Sequence, residues 1–322
     1  MISRVAESCF WLQRNVERAD SMARLLRATR AFLLDVNLPE LDRWRSVIVV
    51  SGEQERFPAL HGRAAADDGE TVQRYLAWDE RCPVGIAQAT HWARENARTI
   101  REVISLEMWE AINAFWNWLR RGQGKRLYER DRDAFYQRVK DAWALFQGES
   151  QNTMLHEEPF DFMRLGLLLE RANQTARMLD VKFHLLGPTR GDAPESTLES
   201  AQWVALLRSC SAEDSFRRHH QGGFAGPEVA AFLLLSESFP RAVRHSLQRA
   251  SNFLERIATS TGRRGPSADL LAELVASLEG QPIDVILERG LHEELTRVID
   301  TAAAVGLAIH TEFFDPGFGQ AS

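Results

Sequence analysis

Two short charged strips are the places where this sequence could do chemistry. Glu17, Ser21 and Arg24 are spaced to share one side of a helix, with Arg18 one position further round. Glu170, Gln174 and Arg177 repeat that spacing, with Arg171 beside them. Carboxylates next to guanidinium groups can lock helices together as ion pairs. They can also line a polar pocket in which the arginines clamp an anion and a carboxylate moves a proton. The residue types leave both uses open: a network joining two parts of the chain, Asp20–Arg24 included as an i,i+4 pair, or a pocket for an anionic or peptide ligand. A second cluster is Arg94, Glu95, Asn96 and Arg98, followed by Glu107 and Glu110, which share a helix face.

Other chemistries find little support. Paired carboxylates can hold a metal, but a di-iron bundle needs Glu-x-x-His motifs, and none is present. His91 and Glu95 alone are too few ligands for zinc. Cys9, Cys82 and Cys210 are widely separated, odd in number and set among apolar neighbours, so each reads as a small buried hydrophobe. There is no nucleophile elbow, Walker loop or dinucleotide fingerprint. The stretch from Gly222 to Pro227 lacks a lysine and reads as a turn before a helix. No intrinsic cofactor is expected.

The elements that position these residues are helical. Val5, Cys9, Leu12, Val16, Ala19, Ala23 and Leu26 alternate steps of four and three, which predicts one long helix from a cap at Ser3 to about Asp35. Leu165, Leu169, Ala172, Ala176, Leu179 and Phe183 repeat the seam 153 residues later (165 − 12). Glu17-Arg18-Ala19, Ala23-Arg24 and Leu26 recur as Glu170-Arg171-Ala172, Ala176-Arg177 and Leu179 at the same offset. Trp44 and Phe57 recur as Trp203 and Phe216, and Glu80 and Pro83 as Glu237 and Pro240, at slightly larger offsets. The ordered recurrence predicts an all-α fold of two pseudo-symmetric helical halves, residues 1–150 and 151–322. Further helices are expected over 103–120, bounded by Gly122 and Gly124, and over 131–146, 268–278 and 291–309. Ser46 to Val50 resembles a strand, but its counterpart Val204 to Ser209 has a helical pattern, so both are assigned as helix.

Aromatic residues are the other signal. Nine tryptophans are many for 322 residues. Trp109, Ile112, Trp116 and Leu119 run at helical spacing with Phe115 and Trp118 alongside. Such a stripe is core, or core with one edge turned to a partner protein. The tail from His310, with Phe313, Phe314 and Phe318, reads as a strap or a docking segment. A formal net charge of −6 argues against nucleic acid, although Arg120, Arg121, Lys125 and Arg126 make a local basic patch. No apolar run approaches the length of a membrane span and the N-terminus has no signal-peptide core, so a cytoplasmic protein is expected.

Several stretches resemble the alpha-E family. They are Met1 to Glu7 with Trp11 and Val16-Glu17-Arg18-Ala19; Arg94 to Arg98; Glu107 to Asn113; Leu169 to Ala172; and Phe239 to Arg244. The likeness covers most of the chain, in order, except Ser51 to Gly69 and Gly187 to Thr197. It implies a helical protein associated with a circularly permuted ATP-grasp ligase, with a transglutaminase-like protease in the same system. The implied role is a subunit that docks an amide- or peptide-forming ligase and recognises its acceptor peptide or amino acid. ATP and Mg would then be bound by the ligase. The alternatives are an enzyme using the Glu/Arg residues itself, and a purely structural adaptor.

Overall fold

A computed structural model of the chain describes residues 3–35, 43–186, 197–220 and 222–315. Every regular element among them is helical. In order these are α1 (Ser3–Asp35), α2 (Arg43–Ser51), α3 (Arg56–His61), α4 (Gly69–Trp78), α5 (Ile86–Thr99), α6 (Leu106–Arg120), α7 (Gln123–Arg130) and α8 (Arg132–Thr153). There follow α9 (Glu158–Leu186), α10 (Thr197–Ser209), α11 (Glu213–His219), α12 (Gly226–Leu235), α13 (Val243–Thr261), α14 (Pro266–Leu278), α15 (Ile283–Arg289) and α16 (Leu291–Ile309). Among the described residues, no helix is long and apolar enough to cross a membrane.

Local chemistry sets the helix starts. The Asp68 side chain accepts from the amides of Glu70 and Thr71 to cap α4, Ser105 caps α6 through Met108, and Asp131 caps α8 through Ala134. Pro227 and Pro266 sit in the first turns of α12 and α14, where no amide is required. Pro83 and Pro240 lie in the turns before α5 and α13. Some expected bounds move. Ser3 is already helical. The helix expected from Val103 begins at Leu106 because Ser105 caps it. Gly124 lies inside α7, and α8 continues past Phe146 to Thr153. The segment 46–50 is helical, within α2. The side chain of Phe183, the segment 187–196 and Phe318 lie outside the described residues.

The centre of the molecule is the pair α1 and α9. Each packs on the other; α1 also carries α5, α8 and α10, and α9 carries α13, α16 and α2. The predicted seam is core except at its start, where Val5 is half-buried: Cys9, Leu12, Val16, Ala19, Ala23 and Leu26 are buried, as are Leu165, Leu169, Ala172, Ala176 and Leu179. Close approach is set by Gly166, where a Cβ would collide with the carbonyl oxygen of Phe10. Corresponding details recur along the chain. Helix α12 starts 157 residues after α4 (226 − 69), and α13 the same distance after α5 (243 − 86). Gly69 lies against Trp44 as Gly226 lies against Trp203. A left-handed backbone occurs at Gly52 (φ 78°) and at Ser211 (φ 52°). The pair Arg27–Asp133, joining α1 to α8, has a counterpart of opposite polarity in Asp180–His292, joining α9 to α16. After α16, residues 310–314 form one π turn whose Phe314 ring lies 5.5 Å from Phe10 and whose Glu312 carboxylate accepts from the amide and hydroxyl of Ser267.

Candidate functional site

The two Glu-Arg pairs meet where α1 crosses α9, and they exchange partners. The Arg171 guanidinium donates from Nε and Nη2 to the two oxygens of Glu17, at 3.2 and 2.9 Å. Arg18 donates in the same two-pronged way to Glu170, at 2.8 and 2.9 Å. Each helix thus gives its carboxylate to the arginine of the other. The planar fork of arginine makes this bidentate geometry possible.

Both carboxylates are fully buried, at 0% exposure, and further donors complete them. Arg241, in the turn before α13, reaches Glu17 at 2.7 Å, and Ser21 and Gln147 approach it at 3.4 Å. Arg14 donates to Glu170 at 3.0 Å and Gln174 at 3.0 Å. Asp20 extends the network by accepting from Arg24 at 2.8 Å and from Arg241 at 2.7 Å. Burial by itself raises the pKa of Glu17, but Arg171 and Arg241 outweigh it and hold the group at about 2. Burial likewise opposes ionisation of Glu170, and Arg18 and Arg14 overcome it, leaving the group well below the carboxylate range. Arg14 is shifted downward by burial and by the nearby charge of Arg18, against the pull of Glu170. Glu17 and Glu170 are therefore ionised at neutral pH.

Of the strips expected from the sequence, the structure joins Glu17, Arg18, Glu170 and Arg171 directly, and Arg24 through Asp20. Arg177 stands apart, donating to Asn173 at 3.3 Å. Arg14, Gln147 and Arg241 are donors to the two carboxylates that the strips did not include. Arg14 lies one turn before Arg18 and so shares its side, a signal present in the spacing. Arg241 is distant in sequence, marked only by the resemblance of Phe239 to Arg244.

Arg24 carries the network outward. Its Nη1 donates to Ser211 Oγ at the mouth of a cleft of about 410 Å³ between α1, α8, α10 and α11. In the second cluster Arg94 bonds Asn113 at 3.1 Å and Glu95 at 2.7 Å, and Arg98 bonds Glu95 at 2.9 Å. Asn96 bonds only the backbone of Trp92 among the described residues, and Glu107 and Glu110 are exposed on α6. Of the aromatic stripe, Phe115 is core, and Trp118 stacks on Phe115 and Phe135. Trp109 and Trp116 are half-buried, with Arg94 and Arg101 over the first and Arg120 over the second. The His91 ring lies between Trp92 and Trp116, at 5.0 and 5.3 Å, and Trp92 is 48% exposed. All three thiols are buried, and burial pushes each up to about 12, so none is a thiolate nucleophile at neutral pH. Among the described residues no group of three His, Cys, Asp or Glu could hold a metal ion.

Known proteins resemble this chain along its length. An uncharacterised protein of Mycobacterium bovis is 22% identical over 313 residues, covering 92% of this chain and 35% of its own. Uncharacterised proteins from two strains of Mycobacterium tuberculosis are 22% and 21% identical over the same length and shares. The chain thus spans about a third of the length of these curated relatives. No solved structure matches it. The Alpha-E family, described as a predicted alpha-helical domain with a conserved ER motif, matches residues 1–314, and the chain belongs to that family.

Proposed function

We propose that this chain is a duplicated helical bundle that acts in the cytoplasm as the non-ATP-binding partner of a circularly permuted ATP-grasp ligase forming amide or peptide bonds. ATP and Mg belong to the ligase. The helical partner docks it and contributes to recognition of the acceptor peptide or amino acid, with a transglutaminase-like protease acting in the same system. The carrying observation is the run of rings Trp92–His91–Trp116 on the outer face of α5 and α6, continued by Arg120, since half-exposed tryptophan beside arginine is the composition of binding hot spots. The length of the relatives supports a module that works beside other domains. The matching helix starts, the paired Gly–Trp contacts and the exchanged Glu-Arg pairs support duplication, because a two-fold relation makes each contact occur twice with partners exchanged.

An enzyme working through Glu17 and Glu170 is the less favoured reading. Their oxygens already face protein donors, and a general acid or base needs a pKa near the working pH and an atom that substrate can reach. The test is co-purification with the ATP-grasp protein of the same organism, followed by ATP turnover with mixed amino acids and short peptides. A stable complex, turnover that needs both chains, and weakening by Trp92→Ala with unchanged helicity are expected. A folded chain that forms no complex overturns the reading.

A further inference from the structure

The cleft at the outer end of the network carries charges that the fold does not use. Its walls come from α1 (Arg24, Arg27), α8 (Asp133, Lys140) and the α10–α11 corner (Arg208, Ser211, Glu213, Asp214). Most of these charges are matched within the protein. Arg27 grips Asp133 at 2.7 and 3.0 Å, Arg208 bonds Glu213 at 2.7 Å, and Arg24 is held by Asp20. Two are not. The Lys140 ammonium has three donors, and among the described residues only Gln137 Oε1 accepts from it, at a long 3.5 Å. Asp214 has no bonded partner among the described residues. Lys140 and Asp214 line one cleft without pairing to each other.

Ser211 adds a third element. It holds the left-handed backbone that glycine holds at position 52, a conformation an L side chain rarely adopts, and its side chain stands at the cleft. Its oxygen accepts from Arg24, which leaves its own O–H free to donate. Burial, then the charges of Arg24 and Arg27, lower the Lys140 pKa against the opposing pull of Asp20 and Asp141, so an anion placed beside this ammonium would offset its contact with the two arginines.

We propose that this cleft binds a small zwitterion with the charge pattern of a free amino acid or short peptide. The ligand carboxylate is received by Lys140, Ser211 and Arg24, and its ammonium by Asp214. A plain anion would be repelled by Asp214, and a plain cation by Lys140 and its neighbouring arginines. The volume is within the range of small-molecule sites. The inference rests on the cleft alone and stands or falls independently of any ligase partner.

The test is calorimetric titration of the full chain, without partners, with four probes: alanyl-alanine, acetate, methylammonium and inorganic phosphate. Alanyl-alanine is expected to bind saturably, with acetate and methylammonium each weaker by about tenfold or more, the value of one charge-assisted hydrogen bond. Lys140→Met should weaken dipeptide and acetate alike by about tenfold. Asp214→Asn should weaken the dipeptide by a similar factor and bind acetate better than the parent does, because the repulsion of the plain anion is removed. Asp214 is exposed, so its variant carries the test if the lysine variant fails to fold. The proposal is overturned if no probe binds saturably. It is also overturned if acetate or phosphate matches the dipeptide and Asp214→Asn changes nothing, or if neither substitution affects binding.

Discussion

At the residue scale the molecule depends on charges placed where charge is costly. A carboxylate without water is tolerable only when donors surround it, and Glu170 has Arg14, Arg18 and Gln174. Replacing Glu170 with Gln leaves two arginines buried beside a neutral group. A loss of about 3–5 kcal/mol in urea unfolding is expected, with a double-mutant cycle on Glu170 and Arg18 giving non-additive losses. Acid should have a related effect. Glu17 keeps its charge down to about 2 when folded, against 4.5 ordinarily, so the stability it contributes is complete above the higher value and is lost as the pH falls toward the lower. Urea midpoints followed downward from neutral pH check this. Gln13 works in the opposite sense: it is fully buried, and neither amide atom has a partner among the described residues. Gln13→Met should raise stability by about 1–3 kcal/mol, read from thermal midpoints. The Glu-Arg pairs were legible in the sequence because spacing placed them on facing seams. That the Glu17 carboxylate lies wholly inside was not, because its covering donor Arg241 arrives from a turn more than two hundred residues away in sequence.

At the element scale, the crossing of α1 and α9 sets the distance over which those pairs can reach each other. Gly166 has no room for a methyl group against the Phe10 carbonyl, whereas Gly148 in α8 has open space around it. Gly166→Ala should therefore cost about 1–3 kcal/mol through overpacking, while Gly148→Ala should gain about 0.5–1 kcal/mol from helix propensity. Equilibrium unfolding of the two variants side by side gives the comparison, and similar effects in both would contradict a tight crossing. The long helices were easy to read because their apolar steps alternate four and three over many turns, and Leu291–Ile309 lies where the pattern placed it. Ends were harder. Whether a serine or aspartate caps a helix or begins it depends on backbone angles, as Ser105 and Ser3 illustrate.

At the scale of the whole molecule, helices distant in the chain share one core. Helix α10 packs on α1 and α2 on α9, so each central helix is covered partly by helices from beyond the other central helix or before it in sequence. Fragments divided in the turn at residues 154–157 should each fail to fold alone and should associate when co-expressed. A monomeric, cooperatively unfolding fragment from either side would contradict this. The clasps at the two outer edges differ in permanence. In Arg27–Asp133 the hydrogen-bonded guanidinium holds the carboxyl below its usual range, whereas the other clasp depends on His292, whose pKa is raised by its hydrogen bond to Asp180. Below the histidine's ordinary range both clasps hold; as the pH climbs through its raised value only the arginine clasp persists. Above that raised value the molecule therefore has a fixed edge and a slackened one. Amide exchange should quicken in the first turns of α16 while those of α8 stay protected.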